Sequence, residues 1–425
     1  MVVNFQWPWL GVIIPCVLIA GIGYGSHLFV FAAYLSNEKQ IIFEVLLSIL
    51  WFSYYLAIVT DAGTPPKNFQ PPEGEWKRWC KKCKNYKPER SHHCKTCKKC
   101  VLQMDHHCPW TYNCVGHSNL PHFLRFLVWV MVCTTFVAVE LGKVALKYYE
   151  DRNLPSYLVN KVEMFAVILL LPLDIFVLAS ILILFIRCVI NFAFKGMTQI
   201  EVWELERIES QIRNGRIWTQ IKKNYRALHG KELPKLVSWS KHSRFHEEEP
   251  ELEEDDISDL EGYEYEIEES IEEEEDAVAS SVVSKTETRH DFTSDDLIFP
   301  YDLGFWRNLT DACGSPLVWM FPWGKPRTSG YLFIKNEDVE EDQLGLPWPP
   351  DGGHQENLEG FVDELDSIQL EDLSEEGKRR KLMRIRDPRS TLRRTEWMND
   401  FGETLDDFGV DLDAEDAEND HLLAK

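Results

Sequence analysis

The sequence lacks several features that would assign it to a familiar class. Its N-terminal region has neither the basic flank nor the small-residue cleavage site of a secretory signal, so we expect the first apolar segment to remain as a membrane span. The run Glu247–Asp276 contains no Lys or Arg; such an acidic stretch cannot pack a core, and we expect a solvated spacer. Repeats of the ankyrin kind are also missing, so the sequence does not disclose how partner proteins are recruited.

What the sequence does contain divides between its two halves. Of the 425 residues, 44% are hydrophobic and 27% are charged, and the formal net charge is -24. Long apolar runs fill the first half, whereas Glu and Asp accumulate after about Arg244. Neither half therefore resembles an average soluble domain.

Four apolar segments approach the roughly 20 residues that cross the hydrocarbon core of a bilayer. Backbone groups in lipid must bond within their own segment, so we predict four transmembrane helices and an all-α polytopic membrane protein. A five-residue turn, Ser36 to Gln40, makes the first two helices an antiparallel hairpin. The expected helices cover about residues 10–35, 41–59, 123–145 and 165–189.

The loop between the second and third helices is rich in Lys and Arg. The positive-inside rule therefore places Asp61–His122 in the cytosol, and four spans then put both termini there as well. The connection Tyr148–Glu163 would be lumenal. Asp174, midway through the fourth helix, is costly to place in lipid; we expect a neutral or partnered carboxyl that holds helices together, with a direct part in catalysis as the alternative.

Seven of the eleven cysteines fall between Cys80 and Cys114, interleaved with histidines. This pattern indicates metal binding rather than disulfides, and ligands that must stay reduced favour the cytosol. Two tetrahedral zinc ions need eight nitrogen or sulfur ligands, which six cysteines and two histidines can supply. One cysteine then remains for chemistry, with a spare histidine beside it.

His106 and Cys108 are the best candidates for this remaining pair. With Asp105 they place a nucleophile, a base and an orienting carboxylate within four residues, and the thiolate is the reactive form of the cysteine. The alternative is a zinc module that binds a partner protein, with Cys108 as one more ligand. An odd seventh cysteine and the position between two spans argue against that alternative.

The tetrapeptide Asp-His-His-Cys that ends at Cys108 resembles the DHHC cysteine-rich domain of protein S-acyltransferases. The resemblance extends from Cys80 through Cys114 and continues to Asn119 and Phe123 in the third predicted helix. The layout of four spans is also similar to that family.

The resemblance implies two interleaved zinc sites. Each would have four protein ligands and no open position, so both ions would be structural, and together they would hold Cys108 rigidly at the cytosolic membrane face. By this resemblance one ion is held by Cys80, Cys83, His93 and Cys100, and the other by Cys94, Cys97, His107 and Cys114.

The resemblance also implies a reaction in two steps. Cys108 attacks the thioester of palmitoyl-CoA to form an acyl-enzyme, and a cysteine thiol of a membrane or membrane-associated protein then removes the palmitoyl group. The acyl chain would lie among the four helices, and Arg125 is a candidate partner for the CoA phosphates. The competing hypotheses are a non-catalytic, zinc-stapled membrane adaptor and a RING-like ubiquitin ligase.

Short motifs outside the cysteine cluster also resemble those of the family, although some of their residues differ. Ala62 stands where the family has the proline of Asp-Pro-Gly. Thr198, Gln199 and Glu201 resemble the Thr-Thr-x-Glu motif, with Gln replacing the second Thr, and which of them contacts the aspartate of the tetrapeptide stays open. Asn308 belongs to a short C-terminal motif whose aromatic residues we expect at the membrane face.

These patterns predict five regions and a location. We expect an amphipathic juxtamembrane helix after the fourth span and then a largely disordered tail, whose basic stretch Lys378–Arg394 would meet lipid headgroups or acidic residues rather than nucleic acid. The arrangement resembles the fungal protein fatty acyltransferases of the endoplasmic reticulum, which implies that membrane, with the Golgi as second choice. The regions are 1–60 (transmembrane hairpin), 61–122 (zinc domain), 123–197 (third and fourth helices), 198–235 (juxtamembrane segment) and 236–425 (acidic tail with the motif near 299–323).

Overall fold

Four long helices form the frame of the protein. The computed structural model describes residues 9–153, 155, 159–213, 215–236, 292, 294–336, 344–353, 389 and 392–414. Within these residues, four helices are long and apolar enough to cross a membrane, as the sequence predicts. They are α1 (Leu10–Tyr34), α2 (Asn37–Val59), α3 (Leu120–Glu150) and α4 (Lys161–Phe194).

Three of the four helices are longer than the apolar segments that predicted them. α3 has 31 residues and α4 has 34, whereas about 20 residues cross the hydrocarbon core. The residues that α3 adds to its predicted segment are partly polar, with His122 at the start and Lys147 and Glu150 at the end. Hydrophobicity detects the lipid-facing part of a helix and misses such polar turns at its ends.

The bundle is centred on α3, which lies between α2 and α4 and contacts both extensively. Aromatic rings fill the contact with α1 and α2: the ring of Phe43 is 5.2 Å from Phe31 and 5.3 Å from Phe136, between centroids. Asp174 is fully buried in α4, and neither of its carboxylate oxygens has a hydrogen-bond partner among the described residues. The partner that the sequence suggested for it is therefore not present in that part of the chain.

The prediction of an all-α fold is correct only for the membrane part, because the zinc domain consists of short β-hairpins. Three separate two-stranded antiparallel sheets follow one another along the chain. In the first two hairpins CxxC-type turns explain the difference, since two ligands brought to one ion close a tight hairpin. The strand pairs are β1 (Arg78–Cys80) with β2 (Asn85–Lys87), β3 (His92–Cys94) with β4 (Lys99–Val101), and β5 (His106–Cys108) with β6 (Asn113–Val115).

Two helices, α5 (Gln199–Arg213) and α6 (Trp218–His229), follow the fourth span. The sequence predicts a single amphipathic helix here that lies on the membrane surface. Instead, the apolar side chains of both helices are buried against C-terminal residues of the same chain. The buried residues of this contact include Ile208, Ile212, Ile221, Phe292, Phe299, Leu344 and Trp348.

The expectation of a largely disordered tail also needs correction for the residues that the structure describes. A third helix outside the four spans, α7 (Phe305–Cys313), packs against the end of α4. Farther along, Trp397 is buried with its ring 5.1 Å from that of Trp203 in α5. Such tertiary packing has no local sequence pattern in an acidic background. The run Glu247–Asp276 and most of Lys378–Arg394 lie outside the described residues.

The aromatic contact at Phe43 leads to a prediction about stability. Phe43→Ala should destabilise the protein by about 3–5 kcal/mol, because it removes a fully buried ring that touches two others. Phe52→Ala is the matched control in the same helix, since Phe52 is 51% exposed. Thermal unfolding in lipid nanodiscs measures both, and an equal shift for the two variants would contradict the packing described here.

Candidate active site

The two predicted ligand sets come together as two compact clusters. In each, the four ligand atoms lie within 4.8 Å of one another. The Nδ1 atom of His93 is 3.4 Å from Sγ of Cys80 and 3.3 Å from Sγ of Cys83. In the second cluster, Nδ1 of His107 is 3.4 Å from Sγ of Cys97. Ligands about 2.0–2.3 Å from a tetrahedral zinc ion have such separations, so the clusters fit two zinc ions.

The three hairpins repeat one plan. Cys80, Cys94 and Cys108 occur at intervals of 14 residues, each at the end of the first strand of its hairpin. In the first two hairpins a second cysteine follows three residues later, and both cysteines belong to a metal cluster. In the third hairpin Thr111 takes the place of that second cysteine. Cys108 therefore lies at a ligand position but belongs to neither cluster.

Asp105, His106 and Cys108 lie together beside the clusters. The Nδ1 atom of His106 is 2.7 Å from Oδ2 of Asp105, and the ring also interacts with the thiol of Cys108. The edge of the ring faces Phe123, with centroids 5.6 Å apart. The imidazole is thus held between a carboxylate and a thiol.

The electrostatics of this trio favour an ion pair. Burial opposes charge on His106, but the hydrogen bonds to Asp105 and Cys108 outweigh it and raise the pKa of His106 to about 10. Burial likewise opposes the thiolate, but His106 outweighs it and lowers the pKa of Cys108. A thiolate next to an imidazolium is the arrangement of an activated cysteine nucleophile.

The backbone of α5, rather than a side chain of the Thr-Gln-Ile-Glu motif, contacts Asp105. The N–H of Gln199 donates to Oδ1 of Asp105 at 2.6 Å. Thr198 and Glu201 form a capping box: the N–H of Glu201 donates to Oγ1 of Thr198 at 3.2 Å, and the N–H of Thr198 donates to Oε2 of Glu201 at 2.8 Å. The replacement of Thr by Gln therefore leaves this contact intact.

Arg90 secures the same helix start to the zinc domain. Its Nε and Nη2 atoms donate to the two oxygens of Glu201, both at 2.6 Å, and Nη2 also donates to the carbonyl of Gly196 at 2.7 Å. Its guanidinium lies 4.7 Å from the ring centroid of Tyr301. The pair is buried, so it holds α5 in a fixed position next to Asp105.

A large cavity opens beside Cys108. Its volume is about 910 Å³, and it extends from the zinc domain between α1, α3 and α4. Apolar side chains form its walls in the bundle, and Asp105, His106 and Cys108 line its end at the zinc domain. Residues lining the apolar part include Ile14, Leu18, Phe126, Val130, Val177, Ile181 and Leu184.

Arg125, the candidate partner for the CoA phosphates, makes its contacts within the protein. Its Nε donates to the carbonyl of Trp319 at 2.7 Å, its Nη2 donates to that of Gly324, and its Nη1 is 3.1 Å from Nδ1 of His122. The side chain is buried and is not among the residues that line the cavity. These bonds hold residues 319–324 against α3.

Asn308 also acts within the scaffold. Its side chain accepts a hydrogen bond from the N–H of Leu303 at 2.9 Å and donates to Asp302 at 2.7 Å and to the carbonyl of Ala193 at 3.2 Å. These bonds tie the C-terminal motif to the end of α4. Asn308 is therefore part of the scaffold and is not among the residues that line the cavity beside Cys108.

Sequence reasoning missed that residues near the C-terminus belong to the site. Residues 403 and 406–409 line the cavity, and the N–H of His107 donates to the carbonyl of Phe408 at 2.8 Å. Gly11 of α1 packs closely against the backbone of Pro109, because a Cβ at position 11 would lie 2.0 Å from the carbonyl oxygen of Pro109. Gly409 was the available sequence signal for the C-terminal contact, but a single glycine does not indicate which residue it packs against.

Comparison with known proteins gives one consistent result. The family described as "DHHC palmitoyltransferase" matches residues 73–206. "Palmitoyltransferase PFA4" of Debaryomyces hansenii is 57% identical over 425 residues, which is 100% of this chain and 98% of that protein. The proteins of the same name from Candida albicans and Saccharomyces cerevisiae are 43% and 40% identical, each over 98% of this chain and 100% of its own length. The similarity thus spans the C-terminal part as well as the zinc domain.

The repeated hairpins supply a matched pair of variants for zinc. Cys94→Ser should lose one zinc ion and much of the folded population, because structural zinc contributes about 10–16 kcal/mol of binding free energy to folding. Cys108→Ser, at the equivalent position of the third hairpin, should keep both ions. Elemental analysis of zinc per purified chain measures this, and zinc loss in Cys108→Ser would show that the ligand assignment is wrong.

Proposed function

This chain belongs to the DHHC palmitoyltransferase family and is an acyltransferase, and we propose that it moves palmitate from palmitoyl-CoA to protein cysteines through an acyl-enzyme on Cys108. The observation that carries the proposal is the position of Cys108, buried and hydrogen-bonded to His106 at the cytosolic end of an apolar cavity. A thiol activated in this way is a nucleophile, and the cavity suits a long acyl chain.

In the first step, the Cys108 thiolate attacks the carbonyl carbon of the palmitoyl thioester. A new C–S bond forms to Cys108, the C–S bond to CoA breaks, and His106 gives its proton to the departing CoA thiolate. Asp105 keeps Nδ1 of His106 oriented so that the other ring nitrogen faces the sulfur. Neutral His106 then remains beside the acylated cysteine.

In the second step, a cysteine thiol of a substrate protein gives its proton to His106 and attacks the same carbonyl carbon. The palmitoyl group moves to the substrate sulfur, and Cys108 leaves as a thiolate next to the reformed imidazolium. Over the two steps His106 gives one proton to CoA and takes one from the substrate thiol, so the protons balance. Substrates that lie in or on the membrane present their cysteines at the same level as Cys108.

The need to bind a long acyl chain explains why this chemistry would take place in a membrane protein. Burial of each CH₂ group of a chain contributes about 0.8 kcal/mol, so the apolar walls between α1, α3 and α4 can hold palmitate firmly while the thioester stays at the zinc domain. The zinc ions would supply rigidity only, since four protein ligands leave no open position for substrate.

We place the protein in the endoplasmic reticulum membrane, with the Golgi as second choice, and the zinc domain in the cytosol. The support is the excess of Lys and Arg in the loop between α2 and α3, which the positive-inside rule assigns to the cytosolic side. Reduced cysteine ligands and a soluble CoA thioester are both available on that side.

The decisive test is acyl-enzyme formation. After incubation with palmitoyl-CoA, intact mass should show a hydroxylamine-labile palmitoyl adduct on the wild-type protein and none on Cys108→Ser, because only a thiolate can form the thioester. Zinc content in the same samples serves as the control for folding. A folded, zinc-loaded wild type that stays unmodified would favour the adaptor or the RING-like ligase over the enzyme.

A second test addresses the contact between α5 and Asp105. Gln199→Pro removes the N–H that binds Asp105 but suits the first position of a helix, so the helix should persist while acyl transfer falls about 10- to 100-fold, as expected for a lost hydrogen bond to a charged group. Gln199→Ala keeps the N–H and should transfer palmitate at nearly the wild-type rate. Equal losses in the two variants would assign the effect to the Gln side chain instead. Rates of acyl-enzyme formation measure both.

A further inference from the structure

A C-terminal strap, residues 403–414, lies across the zinc domain. The N–H groups of His107, Lys95 and Lys81 donate to its carbonyls, and the N–H of Asp411 donates in return to His93 at 2.8 Å. Val410 forms an antiparallel bridge with Cys94. The strap thus contacts both zinc clusters through its backbone, in the manner of a peptide added beside a hairpin.

Gly409 lets the strap approach this closely. Its φ is +83°, and a Cβ at this position would lie 2.7 Å from Cβ of His107. A side chain would therefore be strained and would push the strap away from the residue next to Cys108. The backbone attachment fixes where the neighbouring acidic side chains of the strap must lie.

Those acidic side chains sit at the mouth of the catalytic cavity, where they meet two cations. Oδ1 of Asp406 is 2.5 Å from Nζ of Lys95. Glu403 faces Arg187 at the end of α4 in a fork, with Nη2–Oε2 at 2.7 Å and Nη1–Oε1 at 3.2 Å. All four residues line the cavity that contains Cys108.

Lys95 and Arg187 are the only Lys or Arg among the described residues that line this cavity. A CoA thioester that reaches Cys108 with its acyl chain in the bundle must leave its phosphate-bearing head at this cytosolic mouth. Arg in a fork geometry binds phosphate as it binds carboxylate, and Lys supplies a point charge. The carboxylates of the strap occupy the positions that phosphates would take.

We propose that Lys95 and Arg187 bind the phosphate groups of the acyl donor, and that Asp406 and Glu403 of the strap occupy these cations until the donor displaces them. The inference rests on the proposed function. The strap competes with the head of the donor and leaves the acyl-chain cavity open. Its backbone bonds to the zinc domain remain in place during the exchange, so only the two carboxylate side chains have to turn away.

Because the strap carboxylates and the donor phosphates compete for the same cations, substitutions of the acids and of the cations should change KM in opposite directions. Asp406→Asn and Glu403→Gln free a cation, so each should lower the KM for palmitoyl-CoA by about two- to fivefold, the range of a partly exposed ion pair. Lys95→Gln removes a phosphate partner and should raise that KM. With S-palmitoyl pantetheine, a donor without phosphates, none of these variants should change KM.

Asp400→Asn is the matched control. Asp400 lies in the same C-terminal segment, pairs with Arg389 at 2.7 Å and does not line the cavity, so its substitution should leave the KM of both donors unchanged. Zinc content verifies folding of every variant. If Glu403→Gln misfolds, because Glu403 also accepts a hydrogen bond from Asn399, the exposed Asp406 still carries the test.

The two hypotheses fail in different ways. Equal changes of KM for palmitoyl-CoA and S-palmitoyl pantetheine, or no change for either, would overturn the strap proposal while Cys108-dependent acylation continues. Absence of an acyl-enzyme on the wild type with both donors would overturn the proposed function and this inference with it. A lower KM in Asp406→Asn that is confined to the phosphate-bearing donor supports the competition.

Discussion

The carboxylate of Asp105 is shared between two parts of the protein, and the geometry of the Asp105, His106 and Cys108 trio depends on that sharing. One oxygen fixes His106, and the other accepts the first N–H of α5. α5 must therefore stay in register with the zinc domain, and the buried Arg90–Glu201 pair holds it there at the capping box of the same helix. Removing either partner of such a buried pair leaves an uncompensated charge, so the orientation of the His106 imidazole depends on contacts made well outside the zinc domain.

The features that the sequence predicts best are those that depend on residues close together in the chain. Long apolar runs give the four helices, Cys and His spacing indicates metal binding, and the family resemblance names the members of both metal clusters. The hairpins themselves were missed, since strands of three residues are too short for an alternating pattern to appear. The contact at Gln199 was left open because it is made by an N–H, and every residue except proline offers one at that position.

The features that sequence misses depend on distant partners. Arg125 had the charge for a phosphate ligand, yet carbonyls almost 200 positions away satisfy its donors. The indole N–H of Trp203 donates to the carbonyl of Glu403, exactly 200 positions later. No periodicity links such residues, and an acidic composition suggests solvation rather than packing. Only the folded chain shows which charged residues near the C-terminus are tied to the catalytic cavity.

The repetition of the hairpins bears on how the nucleophile is activated. In the two metal-binding hairpins, the N–H of Cys83 donates to Sγ of Cys80, and the N–H of Cys97 donates to Sγ of Cys94, each at 3.3 Å. In the third, burial raises the pKa of Cys108, but His106 and the backbone of Thr111 lower it and favour the thiolate. The turn that stabilises a metal-binding thiolate in two hairpins thus favours a thiolate outside both clusters in the third. Because Cys108 belongs to neither cluster, the electron pair of its sulfur stays available.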